Sequence, residues 1–200
     1  MKKIKILLDN GHGKDTAGKR SPDGKFREYR YAREIAYFVC KELKEKGYDA
    51  EILVPEDIDI CLSERCSRVN KLCDKLGTKN VILISIHNNA AGNGGEWMNA
   101  TGFEVWTYYG QSQSDILAEY LYDAAQKHFV GKRMRTDTSD NDRDKEGSLY
   151  ILKHTKCTAV LTENFFQDNK KDVEFLLSPQ GRKAVVETHV EGIINYIKSL

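Results

Sequence analysis

Apolar and polar residues alternate along the chain in blocks that predict short strands separated by longer helices. The apolar run at residues 3–8 is short and followed by glycines, as a strand would be, whereas apolar residues in 26–46 recur three and four positions apart, as on one helix face. The same reasoning predicts further strands at 50–54, 81–86, 103–108, 149–152 and 159–162, and further helices at 62–76, 114–129 and the C-terminus, where 186–197 carries an apolar stripe. Such alternation is typical of α/β folds. We predict one three-layer α/β domain over residues 1–200, with a mostly parallel or mixed twisted sheet and helices on both faces.

The composition fits a folded domain and argues against two kinds of partner. The chain has 200 residues, 40% of them hydrophobic, and its 31 Lys+Arg against 30 Asp+Glu leave a net charge of +1. A nucleic-acid binder usually carries a clustered basic excess, so we predict no nucleic-acid partner. The first apolar run stops at Asp9 and no later run approaches the length of about 20 residues that spans a bilayer. We therefore expect a protein made in the cytoplasm without membrane insertion or signal peptide. A monomer is our starting expectation for its oligomeric state.

Polar residues collect where three of the predicted strands end. Residues 9–13 follow the first strand, 85–90 complete the third and 162–164 complete the last. Ligands bind at the carboxyl ends of strands in open α/β sheets, so these segments are expected to converge. His12 and His87 offer imidazoles and Glu28 a carboxylate, the ligand types that zinc uses. Taken alone, each histidine is more often an ordinary surface or hydrogen-bonded residue than a metal ligand.

The segments in this order resemble the zinc-dependent N-acetylmuramoyl-L-alanine amidases of the Amidase_3 family. The similar motifs are Asp9-Asn10-Gly11-His12-Gly13, Glu28, Ser85-Ile86-His87-Asn88-Asn89-Ala90 and Thr162-Glu163, with weaker matches at 62–65, 69–70, 102–105 and 192–196. The resemblance covers residues 4–197. The chain departs from the family at Asn10, where proline is common, at 156–158, which lack the usual proline, and at 164–166, where an aromatic residue replaces glycine.

The resemblance implies a catalytic role for four residues. His12, Glu28 and His87 would bind one Zn²⁺ ion, and Glu163 would be the catalytic carboxylate. Glu163 would take a proton from water and return it to the leaving amine of L-alanine. The implied substrate is peptidoglycan, cut between N-acetylmuramic acid and L-alanine. An enzyme of this kind acts on the cell wall, which a phage endolysin reaches after release by a holin-type protein.

Substrate contacts and rival functions are open at this point. Asn89, Trp97 and Arg65 are candidate substrate-binding residues, although Trp97 lies in a Gly/Asn-rich loop that fits a flexible surface turn equally well. The charged segment 131–147 is expected to be a solvated surface loop. One rival function is a zinc peptidase or carboxypeptidase acting on peptidoglycan stem peptides. The other is a peptidoglycan-binding module of the same fold without catalysis.

Overall fold

A single mixed sheet organises the chain. The computed structural model of the protein describes residues 3–200. Within them, six strands form one sheet in the order β2-β1-β3-β6-β4-β5. The strands are β1 (Lys5–Asn10), β2 (Asp49–Ile52), β3 (Val81–Asn89), β4 (Phe103–Thr107), β5 (Lys145–Glu146) and β6 (Thr158–Phe166). Neighbouring strands run parallel except β4 and β6, which are antiparallel. The predicted mixed, mostly parallel sheet is confirmed.

Helices cover both faces of this sheet unequally. They are α1 (Glu28–Glu45), α2 (Leu62–Leu76), α3 (Gln113–His128), α4 (Tyr150–Lys153), α5 (Lys170–Leu177) and α6 (Pro179–Ser199). The buried side chains of α1, α3, α5 and α6 pack on one face, and those of α2 and the short α4 on the other. The predicted three-layer arrangement is confirmed. None of the described helices is long and apolar enough to cross a bilayer.

Side-chain alternation in the central strands decides which residues face the thinner layer. In β3, Ile82 and Ile84 pack towards α1 and α6, whereas Val81 and Leu83 pack towards α2. Successive side chains of a strand point to opposite faces, so His87 lies on the same face as Leu83. His87, near the polar end of β3, therefore lies on the side of the sheet that carries the smaller layer of α2 and α4.

Local signals explain where two of the helices end and begin. Gly47, with a φ of +86°, follows α1, and the Tyr48 amide donates to the Leu43 carbonyl at 2.9 Å. This left-handed glycine satisfies a carbonyl that the last turn leaves unpaired. At the start of α3, Ser112 and Asp115 form a reciprocal capping box.

The structure corrects two predictions from the sequence. The segment predicted as a strand at 149–152 is helix α4, which places the adjacent buried residues Ile151 and Leu152 on one side of the chain, against the α2 layer. A strand would have pointed them to opposite faces. The segment 131–147 is not wholly a solvated loop, because it contains strand β5 and a buried Asp144.

A β-bulge interrupts the pairing of β3 with β6 next to the predicted catalytic residue. His87 pairs with Glu163, but Asn89 pairs with Phe166, so β6 holds one extra residue. Phe165 has a φ of +64°, a conformation that side chains rarely adopt, and it is fully buried. Simple alternation would place residue 165 on the face of Glu163. The bulge instead turns the Phe165 ring into the opposite core, where its centroid lies 4.9 Å from that of Phe129.

Candidate metal centre and cleft

Three side chains of metal-ligand type meet at the carboxyl edge of the sheet. His12 lies in the turn after β1, Glu28 in the first turn of α1 and His87 near the end of β3. Glu28 Oε1 is 3.0 Å from His87 Nδ1 and 3.4 Å from His12 Nε2. One possible ligand atom from each residue lies within 4.8 Å of the others. The structure thus brings together the three ligands predicted from sequence.

Glu28 is held in place by contacts that leave it ready to accept positive charge. Its side chain is 1% exposed; Oε1 accepts the Asn88 amide at 3.0 Å, and Oε2 accepts Gln167 Nε2 at 3.0 Å. Burial raises the pKa of Glu28, but the His12 and His87 imidazoles lower it by a larger amount. The net pKa therefore lies well below the usual range for a glutamate. Burial lowers the pKa of His87, and the Glu28 carboxylate more than reverses this. An ionised carboxylate beside two imidazoles is a donor set that suits a divalent metal ion such as zinc.

The turn that carries His12 depends on tight backbone packing. His12 has a φ of +61°, in the left-handed region. A Cβ on Gly11 would overlap the His87 imidazole, and a Cβ on Gly13 would overlap the Asp59 backbone. Glycine on both sides of His12 therefore lets the turn lie directly against the second imidazole and the neighbouring loop.

A buried ion pair supports the end of β1 below the metal-ligand cluster. Arg65 of α2 donates through Nη1 to Asp9 Oδ1 at 2.6 Å and to the Asn10 carbonyl at 2.8 Å. Asp9 Oδ2 accepts the Ser85 hydroxyl at 2.6 Å. These contacts tie α2, β1 and β3 together where the turn to His12 begins.

Glu163 occupies the neighbouring strand, in register with His87. Its Oε2 is buried and accepts no hydrogen bond from the described residues. Burial raises the pKa of Glu163 to about 8; the Glu28 and Glu104 carboxylates raise it as well, and His87 opposes them. An unpaired carboxylate at a cleft, with its pKa shifted in this way, is typical of a group that exchanges protons.

The two imidazoles of the metal-ligand cluster and the Glu163 carboxylate border the same cleft. The cleft has a volume of about 380 Å³. Its polar side includes His12, His87, Glu163 and Lys19, and its apolar side includes Leu149 and Tyr150. A groove with a metal-type cluster and a free carboxylate on one wall can polarise a carbonyl and move a proton at the same place.

Comparison with known proteins identifies the family. The sequence profile of the N-acetylmuramoyl-L-alanine amidases, Amidase_3, matches residues 6–195. The chain belongs to this family. The prediction made from the motifs is therefore confirmed at the level of the family.

Individual relatives agree with the assignment to this family. The chain is 28% identical to the endolysin of Bacillus phage SPP1 over 196 residues, which cover 94% of the chain and 64% of the endolysin. It is 26% identical to the N-acetylmuramoyl-L-alanine amidase CwlM of Bacillus licheniformis over 197 residues, covering 95% and 67%. The crystal structure of an N-acetylmuramoyl-L-alanine amidase from Clostridium difficile 630 has the same fold, with a TM-score of 0.83, 24% identity and coverage of 100% and 99%. The chain thus spans less than two thirds of the SPP1 endolysin.

The three candidate substrate-binding residues lie in different parts of the structure. Arg65 lies in the cleft wall, but it is 2% exposed and all its N–H groups face protein acceptors, which favours a structural role. Asn89 donates to Glu104 Oε1 at 2.8 Å and does not line the cleft. Trp97 borders a separate depression beside Asn169.

Two residues that the structure places at the site, Gln167 and Lys19, are not among the residues predicted from the sequence. Gln167 donates a hydrogen bond to Glu28 Oε2, and Lys19 lines the cleft together with His12 and His87. A polar residue directly after β6 was a usable signal for Gln167. Nothing in the pattern around Lys19 distinguishes it from an exposed loop lysine, because its position follows from the bond between its carbonyl and the Glu28 amide at 3.0 Å.

Proposed function

We propose that the protein is a zinc hydrolase that cuts the amide bond between N-acetylmuramic acid and L-alanine in peptidoglycan. The observation that carries this proposal is the convergence of His12, Glu28 and His87, whose two imidazoles share one cleft with the unpaired Oε2 of Glu163. Membership of the amidase family supplies the substrate class. Residues 1–200 act as one catalytic domain in this proposal, with one zinc ion.

The donor set of the cluster favours zinc. Two neutral imidazoles and one carboxylate leave a bound divalent ion with a net charge of about +1, as in the three-ligand sites of zinc hydrolases. When bound there, zinc polarises an amide carbonyl and lowers the pKa of water to about 7. Gln167 and the Asn88 amide hold the Glu28 carboxylate in one orientation for this purpose.

Glu163 moves the proton in this proposal. It accepts a proton from the water that attacks the amide carbon, and it donates that proton to the departing nitrogen of L-alanine. A C–O bond forms and the C–N bond breaks, which leaves a lactyl carboxylate on the muramic acid and a free amine on the stem peptide. The unpaired Oε2 of Glu163 supports this role, because no protein donor competes for it among the described residues.

We infer that the protein acts on the bacterial cell wall in the manner of an endolysin. The support is its similarity to the SPP1 endolysin. A holin-type partner would release such an enzyme to its substrate.

The test pairs Glu163→Gln with Glu96→Gln, which changes an exposed carboxylate in the Gly/Asn-rich loop. Both variants should bind one zinc ion per chain by elemental analysis, because neither side chain belongs to the His12, Glu28 and His87 cluster. Purified peptidoglycan should release stem peptides with wild-type protein and Glu96→Gln but not with Glu163→Gln. Chelation should stop the wild-type reaction, and added zinc should restore it.

Mass spectrometry of the products separates the rival functions. Free lactyl carboxylates on muramic acid support the proposed amidase. Shortened stem peptides still attached to the sugar would indicate a peptidase instead. Wall binding without any hydrolysis by zinc-loaded protein would indicate a binding module and refute the proposal.

A further inference from the structure

A second cluster of oxygen ligands lies away from the cleft residues. Asp115 in the first turn of α3 and Asp142 and Asp144 before β5 each offer a carboxylate oxygen, and these oxygens lie within 4.8 Å of one another. Asp115 is 4% exposed and Asp144 is 1% exposed. Three carboxylates packed this closely inside a protein repel one another unless positive charge offsets them.

Each of the three carboxylates has one oriented oxygen and one free oxygen. Asp115 Oδ2 accepts a hydrogen bond from the Ser112 amide. Asp142 Oδ2 accepts from Gln111 Nε2 at 2.8 Å, and Asp144 Oδ2 accepts from the Thr107 hydroxyl at 2.5 Å. The three Oδ1 atoms are buried and have no hydrogen-bond partner among residues 3–200. Buried polar atoms are rarely left unpaired, so three such carboxylate oxygens together indicate a cationic partner.

The nearby basic side chains are engaged elsewhere. Arg143 binds Glu119 and Asp123, each at 2.6 Å, and Lys145 lies 3.3 Å from Glu104. Among the ion pairs of residues 3–200, none involves the three aspartates. Burial raises the pKa of Asp144 to about 7; the hydrogen bond from the Thr107 hydroxyl opposes this rise, whereas the Asp142 and Asp115 carboxylates add to it by repulsion.

We propose that Asp115, Asp142 and Asp144 form a second cation site that binds a hard, oxygen-preferring divalent ion, calcium in the first instance. Carboxylate oxygens without histidine or cysteine suit calcium and magnesium rather than zinc, and calcium accepts irregular arrangements of six to eight oxygens more readily than magnesium. Water would complete the coordination.

The site would connect a long loop to the wall of the cleft. Asp142 and Asp144 belong to the segment that runs through β5 to Leu149 and Tyr150, which border the cleft. Asp115 and Thr107 anchor the other side to α3 and β4. Calcium would therefore fix the segment between α3 and α4 against the sheet.

Binding is measured on the zinc-loaded protein with terbium and calcium as probes. Tb³⁺ replaces Ca²⁺, and Trp106, adjacent to Thr107, can sensitise its luminescence. We expect a saturable signal that Ca²⁺ displaces and Mg²⁺ displaces less well. Calcium at about a hundred times its Kd should raise the Tm by roughly 5 °C or more. This result does not depend on amidase activity, so it can fail or succeed independently of the proposed function.

Single-charge variants locate the site. Asp142→Asn and Asp144→Asn should each weaken Ca²⁺ binding roughly tenfold or more, because affinity follows the number of charged ligands. Asp137→Asn removes the same charge from an exposed position in the same segment and should leave affinity unchanged. Asp144→Asn should also raise the Tm of the calcium-free protein by relieving repulsion.

Three outcomes would overturn the inference. The first is that the wild-type protein gives no saturable Tb³⁺ signal and no Ca²⁺-dependent Tm shift. The second is that Asp137→Asn loses as much Ca²⁺ affinity as Asp142→Asn and Asp144→Asn. The third is that the stability of the protein responds to pH near 7 but not to calcium. The last would mean that a shared proton, rather than a cation, neutralises the cluster. The wild-type measurements decide the question even if one variant fails to fold.

Discussion

The buried imidazole of His189 should make the protein sensitive to acid. His189 is fully buried in α6; its Nε2 lies 2.9 Å from the Thr162 hydroxyl and its Nδ1 lies 2.8 Å from the Val185 carbonyl. A neutral ring satisfies both contacts by donating from Nδ1 and accepting at Nε2. Protonation would put a second donor, and a charge, into an apolar core.

The size of the effect follows from the pKa of His189. Burial lowers this pKa from 6.5 to about 4. The folded state therefore holds this proton less tightly than the unfolded state, so the stabilisation is present above pH 6.5 and is lost as the pH falls towards 4. At about 1.36 kcal/mol per pKa unit, the full loss is about 3 kcal/mol, of which about 2 kcal/mol falls between pH 7 and pH 5.

Urea unfolding of wild type and His189→Gln at pH 7 and pH 5 measures this contribution. The variant loses core packing and should be less stable at pH 7. Its stability should nevertheless fall by about 2 kcal/mol less than that of wild type on going to pH 5, because it lacks the titrating ring. His154→Gln, at an exposed position, is the control and should follow wild type. Equal losses in wild type and His189→Gln would refute the reasoning.

Three further changes test other parts of the structure. Arg65→Met should lower the free energy of unfolding by about 3 kcal/mol or more, because Asp9 would keep a buried charge without its partner; a urea titration that matches wild type would contradict this. Gly11→Ala should weaken zinc binding by about tenfold or more in competition with a chromophoric chelator, because the new Cβ would displace the His87 ring; unchanged affinity would show that the ring position is not critical. Phe165→Gly should be about 1 kcal/mol more stable than Phe165→Ala in urea unfolding, because residue 165 has a left-handed φ. The opposite order would mean that the bulge relaxes in the variants.

The long periodic segments were the most predictable part of the fold. The helix predicted at 62–76 has the same bounds as α2, because its apolar spacing and the following Gly77 both mark it. The strand predicted at 149–152 was wrong, because four apolar residues fit a strand or one helical turn, and only packing against α2 decides between them. Helix α5 was not predicted, since its eight residues contain too few turns for a clear periodicity.

The site was predictable where strand ends alone determine position. His12 follows β1, and His87 lies near the end of the parallel neighbour β3, so their convergence could be expected from topology. The burial of Arg65 could not, because the sequence does not show that Asp9 lies beneath the cleft. The burial of Asp144 was equally hidden, since a charged segment is normally solvated and the sequence does not show that Asp144 lies beside the Thr107 hydroxyl and Asp115 of α3.

The three members of the metal-ligand cluster come from separate parts of the chain, and this makes metal affinity a measure of folding. Glu28 and His87 are 59 residues apart and meet only when α1 docks on the completed pairing of β1 with β3. An unfolded chain cannot assemble such a site, so each increment of metal-binding free energy is added to the free energy of unfolding. Unfolding curves recorded at a series of free zinc concentrations would therefore yield the affinity of the site without any substrate. A strong chelator that removes zinc from the site would lower the free energy of unfolding by the amount that zinc binding contributes.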